Sequence, residues 1–70
     1  MKILIFKTNV RTDSDKETIG KALKQFKGIS KWNIDHQDKD NVLRITGYGV
    51  KSDEIIKSMK TAGFRCKELI

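Results

Sequence analysis

The chain has 70 residues, a formal net charge of +6 at pH 7 and one cysteine. This length allows one small domain and excludes a second hydrophobic core, and a lone cysteine excludes an intramolecular disulfide. The apolar run at residues 3–6 is too short for a signal-peptide core or a membrane span, so we expect a cytoplasmic protein without membrane insertion. The Lys and Arg residues are spread singly along the chain, which is typical of charge that keeps a domain soluble.

The first half of the chain predicts a strand followed by an amphipathic helix. Residues 2–8 are β-prone and apolar on both faces, which predicts a strand at the centre of a sheet. Either Thr12, or Ser14 with Glu17 three residues later, provides the N-cap of the helix. The apolar residues at helical spacing are Ile19, Ala22, Leu23 and Phe26. We expect Gly28 to end this helix in the left-handed conformation that glycine adopts without strain.

The second half predicts three further strands and a second helix. The second strand begins with Ile29, Trp32 and Ile34 and ends in a polar turn at residues 37–41. The third strand contains Val42, Leu43 and Ile45 and ends at residues 47–49. The second helix begins at Ser52, with Ile55, Ile56, Met59 and Ala62 on its buried stripe, and the last strand covers residues 64–69. Gly63 is expected to end the second helix.

The predicted order of elements is β-α-β-β-α-β. Residues 19–24 and 55–60 repeat the same apolar spacing 36 residues apart, which supports two similar βαβ halves. Two such halves interleave into a ferredoxin-like α+β sandwich, with a four-stranded antiparallel sheet and both helices on one face. We therefore predict a single domain over residues 1–70.

A set of core and turn residues distributed over almost the whole chain supports a family resemblance. Its members are Ile19, Leu23, the Gly28-Ile29 step, Trp32-x-Ile34, Leu43-x-Ile45 and Ala62-Gly63-Phe64. With these residues at this spacing, the chain resembles the heavy-metal-associated domain, the module of soluble copper chaperones and of the N-terminal arms of metal-pumping P-type ATPases. The resemblance implies a ferredoxin-like fold and a metallochaperone-type scaffold.

The functional motif of that family is changed in this sequence. The family carries Met-Thr-Cys-x-x-Cys at the first strand-to-helix turn, and this motif falls on Val10-Arg11-Thr12-Asp13-Ser14-Asp15. Val10 takes the place of the buried methionine, whereas Thr12 and Asp15 take the places of both thiolates. Soft ions such as Cu(I) require sulfur donors, and a hydroxyl and a carboxylate are hard ligands. We therefore expect no metal at Thr12 and Asp15, and no cofactor.

Other residues offer weak alternatives for metal binding. The three carboxylates of Asp13, Asp15 and Glu17 suit Ca²⁺ or Mg²⁺ by type, but they point to different sides of a helix and are ordinary partners of its dipole. His36 with Asp35 or Asp38 offers weak affinity for a divalent ion, and we expect Cys66 to act as a small inward hydrophobe. A metal-binding or transport protein with weak divalent-ion affinity is therefore an alternative function.

The face of the sheet opposite the helices is predicted to be aliphatic at its centre and basic at its rim. Its members are Ile3, Ile5, Val42, Lys7, Arg44, Thr46, Arg65 and Lys67. It has no aromatic platform for stacking bases, so we expect no specific nucleic-acid recognition. Non-specific contact with nucleic acid or an anionic surface is a second alternative, and the aliphatic centre is a candidate contact for a protein or a second copy of the chain.

The sequence offers no catalytic arrangement. One histidine, one cysteine and scattered hydroxyls define no nucleophile–base pair, so we expect no enzymatic activity. The leading prediction is a protein-interaction module that contacts a protein partner or associates with itself. Its predicted interaction surface consists of Asn9, Arg11, Thr12, Asp15 and Phe64. The resemblance implies that the residue at the position of Phe64 packs beside the loop and forms part of the docking surface.

Overall fold

The computed structural model describes residues 2–36 and 39–69. In chain order, its elements are β1 (Lys2–Thr8), α1 (Asp13–Leu23), β2 (Ile29–Asp35), β3 (Val42–Gly47), α2 (Ser52–Thr61) and β4 (Cys66–Glu68). The four strands form one sheet in the order β2-β3-β1-β4, and every neighbouring pair is antiparallel. The predicted ferredoxin-like sandwich and the central position of β1 are therefore confirmed. Neither described helix has the length and apolarity that crossing a bilayer requires.

The hydrophobic core lies between the sheet and the two helices. The inward side chains of β1 and β3 alternate with outward ones, as the pleat of a strand requires. The core consists of Leu4, Phe6, Val10, Ile19, Leu23, Leu43, Ile45, Val50, Ile55 and Met59. Burying one such large apolar side chain contributes about 1.5–3 kcal/mol to folding. Because both helices contribute to a single cluster, the core fixes the positions of the turns that precede them.

Gly28 does not end α1 in a left-handed conformation, so that prediction is wrong. The helix ends at Leu23, and the glycines with positive φ among the described residues are Gly49 and Gly63. A Cβ atom at position 28 would lie 2.1 Å from the carbonyl oxygen of Tyr48, whose N–H donates to the carbonyl of Gly28 at 2.9 Å. Glycine is required there because two backbone segments approach closely, a tertiary cause that local helix signals do not reveal.

Two other boundaries differ from the predictions. The N-cap of α1 is Thr12, and not Ser14 with Glu17. The last strand spans Cys66–Glu68 rather than residues 64–69, because the N–H of Arg65 donates to the side chain of Asn9 instead of pairing with a neighbouring strand. The end of α2 is as predicted, since Gly63 follows it with φ of 96°. Part of the predicted polar turn, residues 37 and 38, lies outside the described residues.

Candidate interaction site at the first strand-to-helix turn

The turn between β1 and α1, residues 9–12, is fixed from below by Thr8 and Val10. The hydroxyl of Thr8 donates to the carbonyl of Asn41 at 2.6 Å and accepts from the N–H of Val10 at 3.2 Å. The side chain of Val10 is fully buried under the turn, as predicted for an apolar residue at the methionine position. The turn is therefore attached both to the core and to the segment that leads into β3.

Thr12 and Asp15 form a reciprocal capping box at the start of α1. The hydroxyl of Thr12 accepts from the N–H of Asp15 at 3.0 Å. One carboxylate oxygen of Asp15 accepts from the N–H groups of Arg11 at 3.1 Å and Thr12 at 3.3 Å. The bond from Arg11, followed by the bonds from Thr12, lowers the pKa of the Asp15 carboxyl below its ordinary value. The oxygens of Thr12 and Asp15 are thus brought together, but they bind backbone N–H groups.

The turn is also joined to the segment that follows α2. The side-chain carbonyl of Asn9 accepts from the N–H of Arg65 at 2.9 Å, and the N–H of Phe64 donates to the carbonyl of Met59 at the same distance. Phe64 is half-buried and packs against the core. Consequently, hydrogen bonds hold the two segments together although 56 positions separate Asn9 from Arg65.

The structure thus places all five residues of the predicted interaction surface at one end of the molecule. Asn9, Arg11 and Thr12 are exposed, and Asp15 and Phe64 are partly exposed. The structure shows their proximity and their hydrogen bonds. That they contact a partner stays a prediction.

The remaining candidate metal ligands are not assembled into a site. His36 is exposed, with Nδ1 3.3 Å from Oδ1 of Asn41, and Asp13 and Glu17 lie exposed on α1. Cys66 is half-buried, and burial raises the pKa of its thiol to about 11. Within residues 2–36 and 39–69, no group of three His, Cys, Asp or Glu side chains is arranged to hold a metal ion. Asp38, a predicted partner of His36, lies outside the described residues.

The open face of the sheet is less aliphatic than predicted. Ile3 is 64% exposed, but Val42 is only 5% exposed and does not belong to an exposed aliphatic centre. Val42 lies in register between Lys7 on β1 and Asp35 on β2, so longer side chains flank it on both neighbouring strands. Arg44 on the same face is paired with Asp35, with 3.5 Å between the charged atoms.

A cleft beside the turn was not predicted from the sequence. We call it the basic cleft; its lining residues are Lys7, Thr8, Asn9, Arg11, Lys39, Asp40, Asn41, Arg65, Cys66 and Lys67. It has a volume of about 500 Å³. The signal for it was the charge of the lysines and arginines, but these residues come from three separate segments, 7–11, 39–41 and 65–67. The pairing of β1 with β4 brings residues 7–11 and 65–67 together, and the N–H of Thr8 donates to the carbonyl of Asp40 at 3.2 Å, which adds residues 39–41.

Solved structures of metal-binding domains share this fold. The yeast copper transporter domain Ccc2a, solved in apo and Cu(I)-loaded states, matches with a TM-score of 0.84 and 24% identity over 100% of this chain and 97% of that chain. A chain of the Atx1–Cu(I)–Ccc2a complex matches with a TM-score of 0.83 and 24% identity, with the same coverage. Oxidized MerP from Ralstonia metallidurans CH34 matches with a TM-score of 0.79 and 14% identity, over 99% of this chain and 97% of that chain.

No protein-family model matches the sequence, and no curated protein matches it. At these identities, the structural likeness shows a shared fold. The ferredoxin-like fold expected from the heavy-metal-associated resemblance is therefore confirmed, and the function of the first strand-to-helix turn is a separate question.

Proposed function

We propose that this chain is a non-catalytic protein-interaction module built on the heavy-metal-associated scaffold, and that its interaction surface is Asn9, Arg11, Thr12, Asp15 and Phe64. The observation that carries the proposal is the capping box. The two side chains at the thiolate positions accept hydrogen bonds from the first backbone N–H groups of α1. They complete the helix start and do not form an open pair of ligands.

Cation binding at this turn would oppose two local interactions. A cation on the hydroxyl of Thr12 would compete with an N-cap hydrogen bond, whose loss costs about 1 kcal/mol. It would also sit at the N-terminus of a helix, where the dipole is positive and favours anions. In addition, Cu(I) would meet only hard oxygen donors at Thr12 and Asp15. These costs support a role for the turn that does not need a metal.

Two features support contact with another protein. The turn is pre-organised, because hydrogen bonds tie Asn9 to Arg65 and Asp15 to Arg11, and little ordering is needed on binding. The Atx1–Cu(I)–Ccc2a structure supplies a complex that contains this scaffold. We propose that Arg11 contributes charge and Phe64 apolar area to the contact, and that the protein acts in the cytoplasm, where its single thiol remains reduced.

A metal titration tests the proposal against its metal-binding alternative. Isotope-labelled protein is titrated separately with Cu(I), Zn²⁺ and Ca²⁺ while backbone amide shifts are followed. We expect the amides of residues 9–17 to remain unshifted at low micromolar metal. Saturable shifts there would overturn the proposal and establish a metal carrier. Shifts confined to the surroundings of His36 or Cys66 at millimolar metal would leave it standing.

A cross-linking experiment tests the contact itself. A photoreactive residue replaces Arg11 in one variant and Lys57, an exposed residue of α2 outside the surface, in a matched control. We expect a discrete cross-linked protein, or a dimer of this chain, from position 11 only, and we expect Phe64→Ala to abolish it. Equal products from both positions, or none from position 11, would contradict the proposed surface.

A further inference from the structure

The basic cleft concentrates the positive charge of the protein. Five cationic side chains line it, from Lys7, Arg11, Lys39, Arg65 and Lys67, against the single carboxylate of Asp40. The lining therefore carries a net charge of +4, out of +6 for the whole chain. Five of the fifteen lysines and arginines, which are well separated in the sequence, are thus brought together in one cleft. A concave surface lined by one sign of charge attracts and concentrates counter-ions of the other sign.

The charges of the cleft are only partly neutralised within the protein. Lys7 pairs with Asp40, with 3.4 Å between the nitrogen and the carboxylate oxygen. Within residues 2–36 and 39–69, the other four cations form no ion pair. Most of the charge of the cleft is therefore available to a ligand.

A cross-strand pair places two like charges next to each other in the cleft. Lys7 on β1 lies directly opposite Lys67 on β4 in the antiparallel register, so both side chains project from the same face. Like charges placed directly opposite each other destabilise a sheet. A bound anion between them would convert this repulsion into attraction. The pair therefore provides a second observation, independent of the cleft volume, that the site suits negative charge.

The shape and composition of the cleft define the class of anion. Its volume of about 500 Å³ suits a small molecule. Its lining has no aromatic side chain for stacking a base and no aliphatic residue to anchor a protein contact. Two arginines, Arg11 and Arg65, can bind phosphate oxygens in the two-pronged geometry of a guanidinium, and the lysines supply point charges.

We propose that the basic cleft binds a compact polyphosphate anion, recognised by its phosphate groups rather than by any base or sugar attached to them. Two of the neutral polar groups of the lining are already engaged: the hydroxyl of Thr8 donates to the carbonyl of Asn41, and the side-chain carbonyl of Asn9 accepts from the N–H of Arg65. Recognition therefore rests on the cations. The site overlaps the proposed protein contact at Asn9 and Arg11 and extends beyond it to Lys39 and Lys67.

Binding is tested on the full chain with inorganic tripolyphosphate, using calorimetry and amide shifts at low and at physiological salt. We expect saturable shifts at residues 7–11, 39–41 and 65–67, and weaker binding as salt rises. The double variant Lys39→Gln/Lys67→Gln should weaken binding about tenfold or more, because it removes two charge-assisted contacts. The control Lys21→Gln/Lys57→Gln removes the same charge from the helices and should weaken binding far less.

Three comparisons decide the class of ligand. ATP should bind about as tightly as tripolyphosphate, because the cleft has no group that recognises a base. Equal weakening by both double variants would show that net charge alone attracts the anion, and would overturn the proposal. Tighter binding of an oligonucleotide or an acidic peptide of equal charge would assign the cleft to a macromolecule and also overturn it. Absence of saturable shifts would do the same.

A thermal measurement separates a ligand site from a structural role. Lys67→Gln should raise the melting temperature of the anion-free protein at low salt, because it removes the repulsion from Lys7. It should also reduce the increase in melting temperature that tripolyphosphate produces. Lys57→Gln should change neither quantity. A lower melting temperature for Lys67→Gln with an unchanged response to tripolyphosphate would show that Lys67 supports the fold and not the anion.

Discussion

The turn before α1 and the turn before α2 both contain a buried valine, Val10 at 0% exposure and Val50 at 8%. Beyond that likeness they are held in different ways. The first turn is stabilised by side-chain hydrogen bonds, chiefly the capping box of Thr12 and Asp15. The second turn is stabilised by packing, because the backbone of Tyr48 lies against Gly28, and the N-cap residue Lys51 makes no side-chain hydrogen bond.

The two similar βαβ halves of the fold therefore begin their helices with different stabilising interactions. In α2, the hydroxyl of Ser52 donates to the carboxylate of Glu68 on β4, so the helix start is tied to the sheet. In α1, the polar groups of the cap bind only backbone within the turn itself. The cap of α1 is therefore completed within its own turn, and Arg11 and Thr12 remain exposed, which is the arrangement expected of a contact surface.

The largest expected effect comes from returning sulfur to the first turn. Thr12→Cys/Asp15→Cys should create a Cu(I) site and raise affinity for that ion by several kcal/mol, because thiolates are soft ligands and a helix N-terminus lowers their pKa. The measurement is competition with a chromophoric Cu(I) chelator under reducing conditions. Thr12→Ser/Asp15→Ser is the matched control without sulfur and should not compete.

If the wild-type protein competed with the chelator for Cu(I) as well as the double-cysteine variant does, the oxygens of Thr12 and Asp15 would not be limited to capping the helix, and the comparison of the two turns would fail. A double-cysteine variant that folds but does not compete would show that the turn has lost the geometry of the family's motif.

The next effect concerns the second turn. Gly28→Ala should destabilise the fold by about 1–3 kcal/mol, because its Cβ would collide with backbone rather than with a movable side chain. Gly20→Ala in α1 is the control: its Cβ would lie 3.4 Å from the ring of Trp32, and alanine favours a helix by up to about 1 kcal/mol. Urea denaturation measures both. Equal effects would show that the second turn does not depend on this close approach.

A smaller effect tests the first turn directly. Thr12→Ala should reduce the free energy of unfolding by about 1 kcal/mol, the usual contribution of an N-cap hydroxyl. Lys51→Ala at the N-cap of α2 removes no side-chain hydrogen bond and should change stability by no more than about 0.5 kcal/mol. Urea denaturation again provides the measurement. A larger effect at position 51 than at position 12 would reverse the comparison between the two turns.

The smallest effect is a pH dependence of stability. The pKa of Asp15 is lowered in the folded protein, chiefly by the N–H of Arg11, from an ordinary value of 3.8. The unfolded chain therefore binds more protons in this region, and the contribution of Asp15 is present above pH 3.8 and lost as pH falls through the folded pKa. Stability of the wild type relative to Asp15→Asn should decline over that acid range. A difference that is constant with pH would contradict the capping role.

The local patterns of the sequence predicted the elements and the core well. Helical spacing identified Ile19, Leu23, Ile55 and Met59, all of which are buried, and the apolar residues of β1 placed it at the centre of the sheet. The N-cap remained open between two alternatives because Thr12 and Ser14 both precede suitable acids. The family spacing located the candidate site at the first turn, and the hydrogen bonds of that turn show what its residues do there.

Predictions that depended on distant contacts were wrong or absent. The role of Gly28 is set by Tyr48, 20 positions later, and the burial of Val42 depends on its neighbours on two other strands. The basic cleft requires Lys7 and Lys67 to be opposite each other, which follows from the register of β1 and β4 and from no pattern within either segment. These three features depend on which distant segments contact each other, and the local sequence patterns do not contain that information.

The two outer strands have a consequence for how the molecule meets other copies of itself. β4 is only three residues long, and the ladder between β2 and β3 is irregular between Ile29 and Lys31. Edge strands that are short or bulged are poor templates for pairing with a strand from a neighbouring chain. We therefore expect any homotypic assembly to form through side chains at the turn end of the domain and not by extending the sheet, which protects a small basic protein from fibrous aggregation.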